Sequence, residues 1–119
     1  MNSEKLESVI EDLQHLHVLS QTETLMIDEA DFAGLDRVTS AKEVIVGHIT
    51  STIPPKSDGV APKDIDLELR SRLQEMLALI EKVSEIEERN RVRLEQLRSG
   101  ALHALQVLHH ERKLRRTYK

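Results

Sequence analysis

From Leu69 onward, marked positions return along the chain at strict 4,3 spacing: Leu69, Leu73, Met76, Ile80, Val83, Glu87, Asn90, Leu94, Leu97, Ala101, Ala104 and Leu108. This is the a/d seam of a coiled coil, in which each step comes back to one face of a helix. Only Glu87 and Asn90 break its apolar character. Leu77, Leu79, Ile86, Leu102 and Leu105 widen the stripe beyond a two-helix seam, so this helix is expected to touch more than one neighbour. A continuous helix over about 66–114 would be roughly 70 Å long. Asp64 or Asp66, following Pro62, offers its carboxylate as N-cap.

The N-terminal half is less regular. Leu6, Val9, Ile10, Leu13, Leu16 and Leu19 lead, and Leu35, Val38, Ile45 and Ile49 follow. Between them IDEADFAGL carries three acids and Gly34, which predicts a kink or break with Asp31 as a new N-cap. Helices over about 3–28 and 32–51 follow from this reading. Three prolines and a glycine in TIPPKSDGVAPKD end the second helix and make 52–65 a loop. The expected fold is therefore all-α, a single helical domain over 1–119. It is an antiparallel helical hairpin or bundle with one long C-terminal helix and an N-terminal arm broken in two. Folding the arms about residue 59 places residue i opposite about 118 − i. Glu87 and Asn90 then face Asp31 and Asp28, forming a polar joint, and the basic end at Arg112, Lys113, Arg115 and Arg116 faces Glu4 and Glu7.

Composition narrows the function. Phe32 and Tyr118 are the only aromatic residues, so aliphatic side chains at helical spacing must build a thin core. Cys is absent, which removes disulfides, thiolate metal sites and cysteine nucleophiles. Residues 1–53 carry 10 acids and 3 bases, residues 54–119 carry 11 acids and 14 bases, and two halves of opposite sign suit mutual packing. The acidic amphipathic N-terminus and the lack of a long apolar run imply a cytoplasmic protein without stable membrane insertion. The histidine pairs His15/His17 and His109/His110 have the wrong spacing for two ligands on one helical face, and no metal is expected. The four glycines are isolated, so no phosphate-cradling loop exists; no cofactor and no catalytic residue is expected. The tail HHERKLRR has clustered bases but no stacking aromatics, and nucleic acid is not expected as a partner.

The segment EIEERNRVRLEQLRSGALHALQVL, through Asn90, Leu94, Ala104, Leu105 and Leu108, resembles the C-terminal core of the FlgN-type flagellar export chaperones. Glu23, Asp31, Leu35, Lys42, Ile45 and Ile49 resemble the family's N-terminal pattern, while Glu87 stands where the family often has a second Asn. The resemblance implies a cytoplasmic chaperone that binds hook-filament junction proteins before secretion and hands them to the type III export apparatus. Disordered terminal segments of such clients become helices on assembly, and an apolar helical surface can mask them. Leu94, Leu97, Leu102, Leu105 and Leu108 are the expected partner-binding residues. The same leucines would equally serve the protein's own core or a homodimer. A generic coiled-coil adaptor and a small nucleic-acid-associated helical protein are the competing readings.

Overall fold

The computed structural model describes residues 3–53 and 67–117, which form three α-helices and, among the described residues, no strand. Helix α1 spans Ser3–Asp28, α2 Phe32–Thr52 and α3 Leu67–Thr117. The expected boundaries of α1 and α2 are met to within one residue, and α3 runs three residues further than expected. The proposed caps Asp64 and Asp66, and most of the expected loop, lie outside the described residues.

Between α1 and α2 the chain makes a full reversal rather than a kink. The Ala30 amide donates to the Ile27 carbonyl at 3.1 Å and the Asp31 amide to the Met26 carbonyl at 2.9 Å, the paired bonds of a Schellman motif. Ala30 takes the left-handed position of that motif, with φ 55°, where Gly is the usual occupant. Asp31 then caps α2 at once, its Oδ1 accepting from the Gly34 amide at 2.9 Å. Two helix ends are thus satisfied within three residues, and the second helix has no course except back along the first.

This reversal changes the register expected from the sequence. Glu7 meets Arg72 at 3.1 Å, Ser20 meets Glu87 at 2.6 Å, Thr24 meets Asn90 at 2.7 Å and Asp28 meets Arg93 at 3.8 Å. The separation in sequence stays at 65–67 throughout, so α1 and α3 run parallel. Helix α2 is antiparallel to α1, joined by His48 to Asp12 and Lys42 to Glu23. The proposed facing of 118 − i is therefore wrong for α1. Glu7 finds its partner at Arg72, near the start of α3, and the basic end at 112–116 is nowhere near Glu4 and Glu7.

Helix α1 is the central strut of the bundle. It contributes Leu6, Val9, Ile10, Leu13, Leu16 and Ile27 to the buried set, against Val38 and Ile45 from α2 and Val83 and Ile86 from α3. Around Val9, Leu13, Leu16, Ile45 and Val83 pack the partly buried Leu19, Ile49, Met76 and Leu79. With 26 residues, α1 can cover only half of the 51-residue α3. Every residue from Glu95 to Arg116 is exposed, so the last two-fifths of α3 project beyond the bundle by about 33 Å. The molecule measures 80 × 25 × 20 Å as a result.

The turn makes opposite demands at two positions. Replacing Ala30 with Gly removes the left-handed penalty and should raise unfolding free energy by about 0.5–1 kcal/mol. A Cβ at Gly34 would stand 2.5 Å from Asp31 Oδ2 and 2.6 Å from Met26 Sδ, displacing the cap. Gly34→Ala should therefore cost about 1 kcal/mol although Ala is the better helix former. Urea denaturation of both variants checks the two signs.

A buried polar network and an uncovered helix face

The seam of α1 falls on Leu6, Val9, Leu13, Leu16, Ser20, Glu23 and Ile27, all buried and all at 3,4 spacing. Two successive positions are polar, as are Glu87 and Asn90 on α3. Adding 67 to Ser20 and Glu23 gives those two residues, so parallel packing brings the faults together. Helix α2 adds Lys42, one turn from the buried Val38 and Ile45.

These side chains close into one network. Lys42 Nζ donates to Glu23 Oε2 at 2.6 Å and to both Glu87 carboxylate oxygens at 2.9 Å. Asn90 Nδ2 donates to Glu23 Oε1 at 2.8 Å and to the Ser20 carbonyl at 3.1 Å, while its Oδ1 accepts from the Thr24 hydroxyl at 2.7 Å. The Ser20 hydroxyl donates to Glu87 Oε1 at 2.6 Å. Glu23 is 5% exposed and Asn90 3%, yet among the described residues no buried side-chain polar atom lacks a partner. Burial on its own pushes the Lys42 ammonium down, but hydrogen bonds and charge from Glu23 and Glu87 outweigh it and hold its pKa above the ordinary value.

The expected polar joint is half corrected by this geometry. Glu87 and Asn90 do sit at a polar crossing, but opposite Ser20, Glu23, Thr24 and Lys42. Asp28 lies one turn further on beside Arg93, and Asp31 is engaged in capping α2. Ser20 and Thr24 were missed in the sequence reading, although Ser20 stands at a seam position with the same three-residue spacing to Glu23 that separates Glu87 from Asn90. Glu23 and Lys42 entered only through the family resemblance, and the fold places them in contact with Asn90, a third residue of that resemblance.

The expected partner-binding residues lie on the projecting part of α3. Leu94 is half-buried at the rim of the bundle, and Leu97, Leu102, Leu105 and Leu108 are exposed, Leu105 to 62%. At 100° per residue, Leu97, Ala101, Leu105 and Leu108 continue the side of α3 that carries Val83, Ile86 and Asn90 against α1. The uncovered stripe is therefore the same face of the same helix, deprived of the strut that covers it lower down. Among the described residues nothing covers it.

Other features carry less chemistry. An apolar cleft of about 240 Å³ opens between α2 and α3, walled by Val46, Ile49, Ile53, Met76, Ile80 and Val83. Among the described residues no group of three or more His, Asp or Glu side chains is placed to hold a metal ion, and no helix is long and apolar enough to cross a membrane. Comparison with protein-family models, with curated proteins and with solved structures returns no match to the chain.

Breaking the network from the cationic side should be severe, because it leaves Glu23 buried without its counter-charge. Lys42→Met is expected to cost about 3 kcal/mol, and Glu23→Gln added to it to recover part of that loss. In the parent protein the folded pKa of Lys42 lies above the unfolded one, so its stabilisation is complete below about pH 10.5 and fades as pH climbs through the raised value. Thermal melts from pH 8 to 11.5 should show the gap between parent and Lys42→Met narrowing only in that alkaline window.

Proposed function

We propose that this protein is a cytoplasmic export chaperone of the FlgN type, holding the disordered terminal segment of a hook-filament junction protein as a helix until it reaches the type III export apparatus. The observation that carries this reading is the projecting end of α3, with Leu97, Leu105 and Leu108 exposed along one face and Leu102 exposed beside it. An aliphatic stripe of this kind, left in water, is a surface made for an amphipathic helix.

The division of labour within the chain supports the reading. The bundle below Leu94 is a mount held by the Glu23–Lys42–Glu87 network, and the helix above it presents side chains without needing to fold around the client. Laid over the stripe, a client helix would continue the line of α1 and complete the packing that α1 begins. Ordering a disordered segment costs part of the binding free energy, which keeps the complex releasable at the export gate. The meeting of Glu23, Lys42 and Asn90 adds to the case, since these residues come from distant parts of the family resemblance and have a common physical task here.

Calorimetric titration of the chain with the terminal segments of hook-filament junction proteins tests the proposal. Binding with one-to-one stoichiometry and a gain in helical ellipticity is expected. Leu105→Glu with Leu108→Glu should weaken it by about 100-fold or more while leaving the melting temperature of the bundle unchanged. Full affinity in that double variant, or no binding by the parent chain, would sink the reading.

A further inference from the structure

The two ends of the projecting helix differ in charge. At its base the α1–α2 turn gathers Asp28, Glu29, Asp31 and Asp36, with Arg37 alone among residues 28–37 in opposite sign. Arg93 of α3 reaches Asp28 at 3.8 Å, and Glu29 and Asp36 are exposed. At the tip Arg112, Lys113, Arg115 and Arg116 stand with Glu111 as the one acid. Between the two ends runs the aliphatic stripe.

The space beside this stripe has a definite length. It begins where α1 ends, at the level of about Leu94 to Leu97, and finishes with the helix near Thr117, a span of roughly 30 Å. The one segment whose length, stripe and charge match that space without further assumption is the projecting helix of a second copy. We infer that two copies pair through these helices, antiparallel, about a two-fold axis.

In that arrangement the basic tip of each copy arrives over the acidic turn of the other. The two bundles lie at opposite ends of a rod, and residue i stands opposite about 212 − i of the partner. The axis passes near residue 106, so Leu105 and Leu108 of both copies crowd it, and the small Ala104 lets the helices approach. The interface is isologous and closed, so it stops at two copies. A parallel pairing would set basic tip against basic tip and acidic turn against acidic turn, and would drive the two bundles into one another. The same leucines that the proposed client would occupy are thus covered in the free protein, and client and second copy exclude one another. This pairing does not depend on the client reading.

Charge exchange between the two ends tests it. Variant one carries Arg112→Glu, Arg115→Glu and Arg116→Glu; variant two carries Glu29→Lys and Asp36→Lys. All five residues are exposed, and circular dichroism with thermal melts verifies that both variants remain helical and folded. At low salt and high micromolar concentration, sedimentation velocity should report the parent as a dimer that dissociates on raising the salt, because the end contacts are screened. Each variant alone should be monomeric, since its two ends then share one sign. An equimolar mixture should recover the dimer, because the altered tip of one variant then meets the altered turn of the other, while the dimer of the parent, whose like-charged ends would repel in a parallel pair, fixes the orientation as antiparallel. A monomeric parent, a variant that dimerises alone, or a mixture without recovery would each overturn the inference. The leucine stripe is intact in both variants, so client binding retained by them separates this inference from the chaperone reading.

Discussion

A single ammonium group answers two carboxylates on two different helices. Lys42, projecting from α2, meets Glu23 of α1 and Glu87 of α3, and around these three charges Ser20, Thr24 and Asn90 satisfy what remains. Aliphatic seams are tolerant of sliding, because one leucine step differs little from the next. A buried carboxylate is not tolerant, since moving the register by one heptad would bring Val83 opposite Glu23 in place of Asn90. The network therefore has more to say about how the helices align than about how strongly they adhere, in the manner of a polar residue placed at a coiled-coil seam.

Alignment in turn sets what is left uncovered. The reversal at residues 29–31 folds α2 back beside α1, so the N-terminal 50 residues occupy only half the height they would reach in a straight arm. Helix α3 keeps its full length. The mismatch produces two regimes on one helix: a lower part that packs on α1 with Val83, Ile86 and Asn90 buried, and an upper part whose seam has the same chemistry but no partner among the described residues. The proposed client and the inferred second copy are alternative ways of completing the same packing.

Much of this was legible in the sequence, for reasons that can be named. The 4,3 pattern in α3, the Asp31 cap and the break near Gly34 are local signals, and the helix limits follow from them closely. Direction was not legible, because a kink and a reversal share their chemistry: a cap, a small residue and a cluster of acids. The distinction lay in Ala30, which adopts a left-handed conformation that its side chain does not advertise. With direction lost, Glu87 and Asn90 were set against Asp31 and Asp28, although the equal spacing of Ser20/Glu23 and Glu87/Asn90 marked the two faults as partners. The leucines at 94–108 were legible as a surplus over a two-helix seam, and the fold gives the reason for the surplus.

The parallel disposition of α1 and α3 bears on the order in which the molecule assembles. Helices α1 and α2 meet across a three-residue turn, so their association closes a small loop and belongs to the fast, local end of folding events. The contacts of α3 with α1 span 65–67 residues and must wait for a much larger loop to close. A hairpin formed first in this way would bring Lys42 to Glu23, half of the polar site, ahead of the third helix. Helix α3 then docks onto a prepared charge pattern, and Asn90 and Glu87 are accepted in one register only. The crossing seen in the finished structure would then serve, during folding, as a template that selects how the last helix comes to rest.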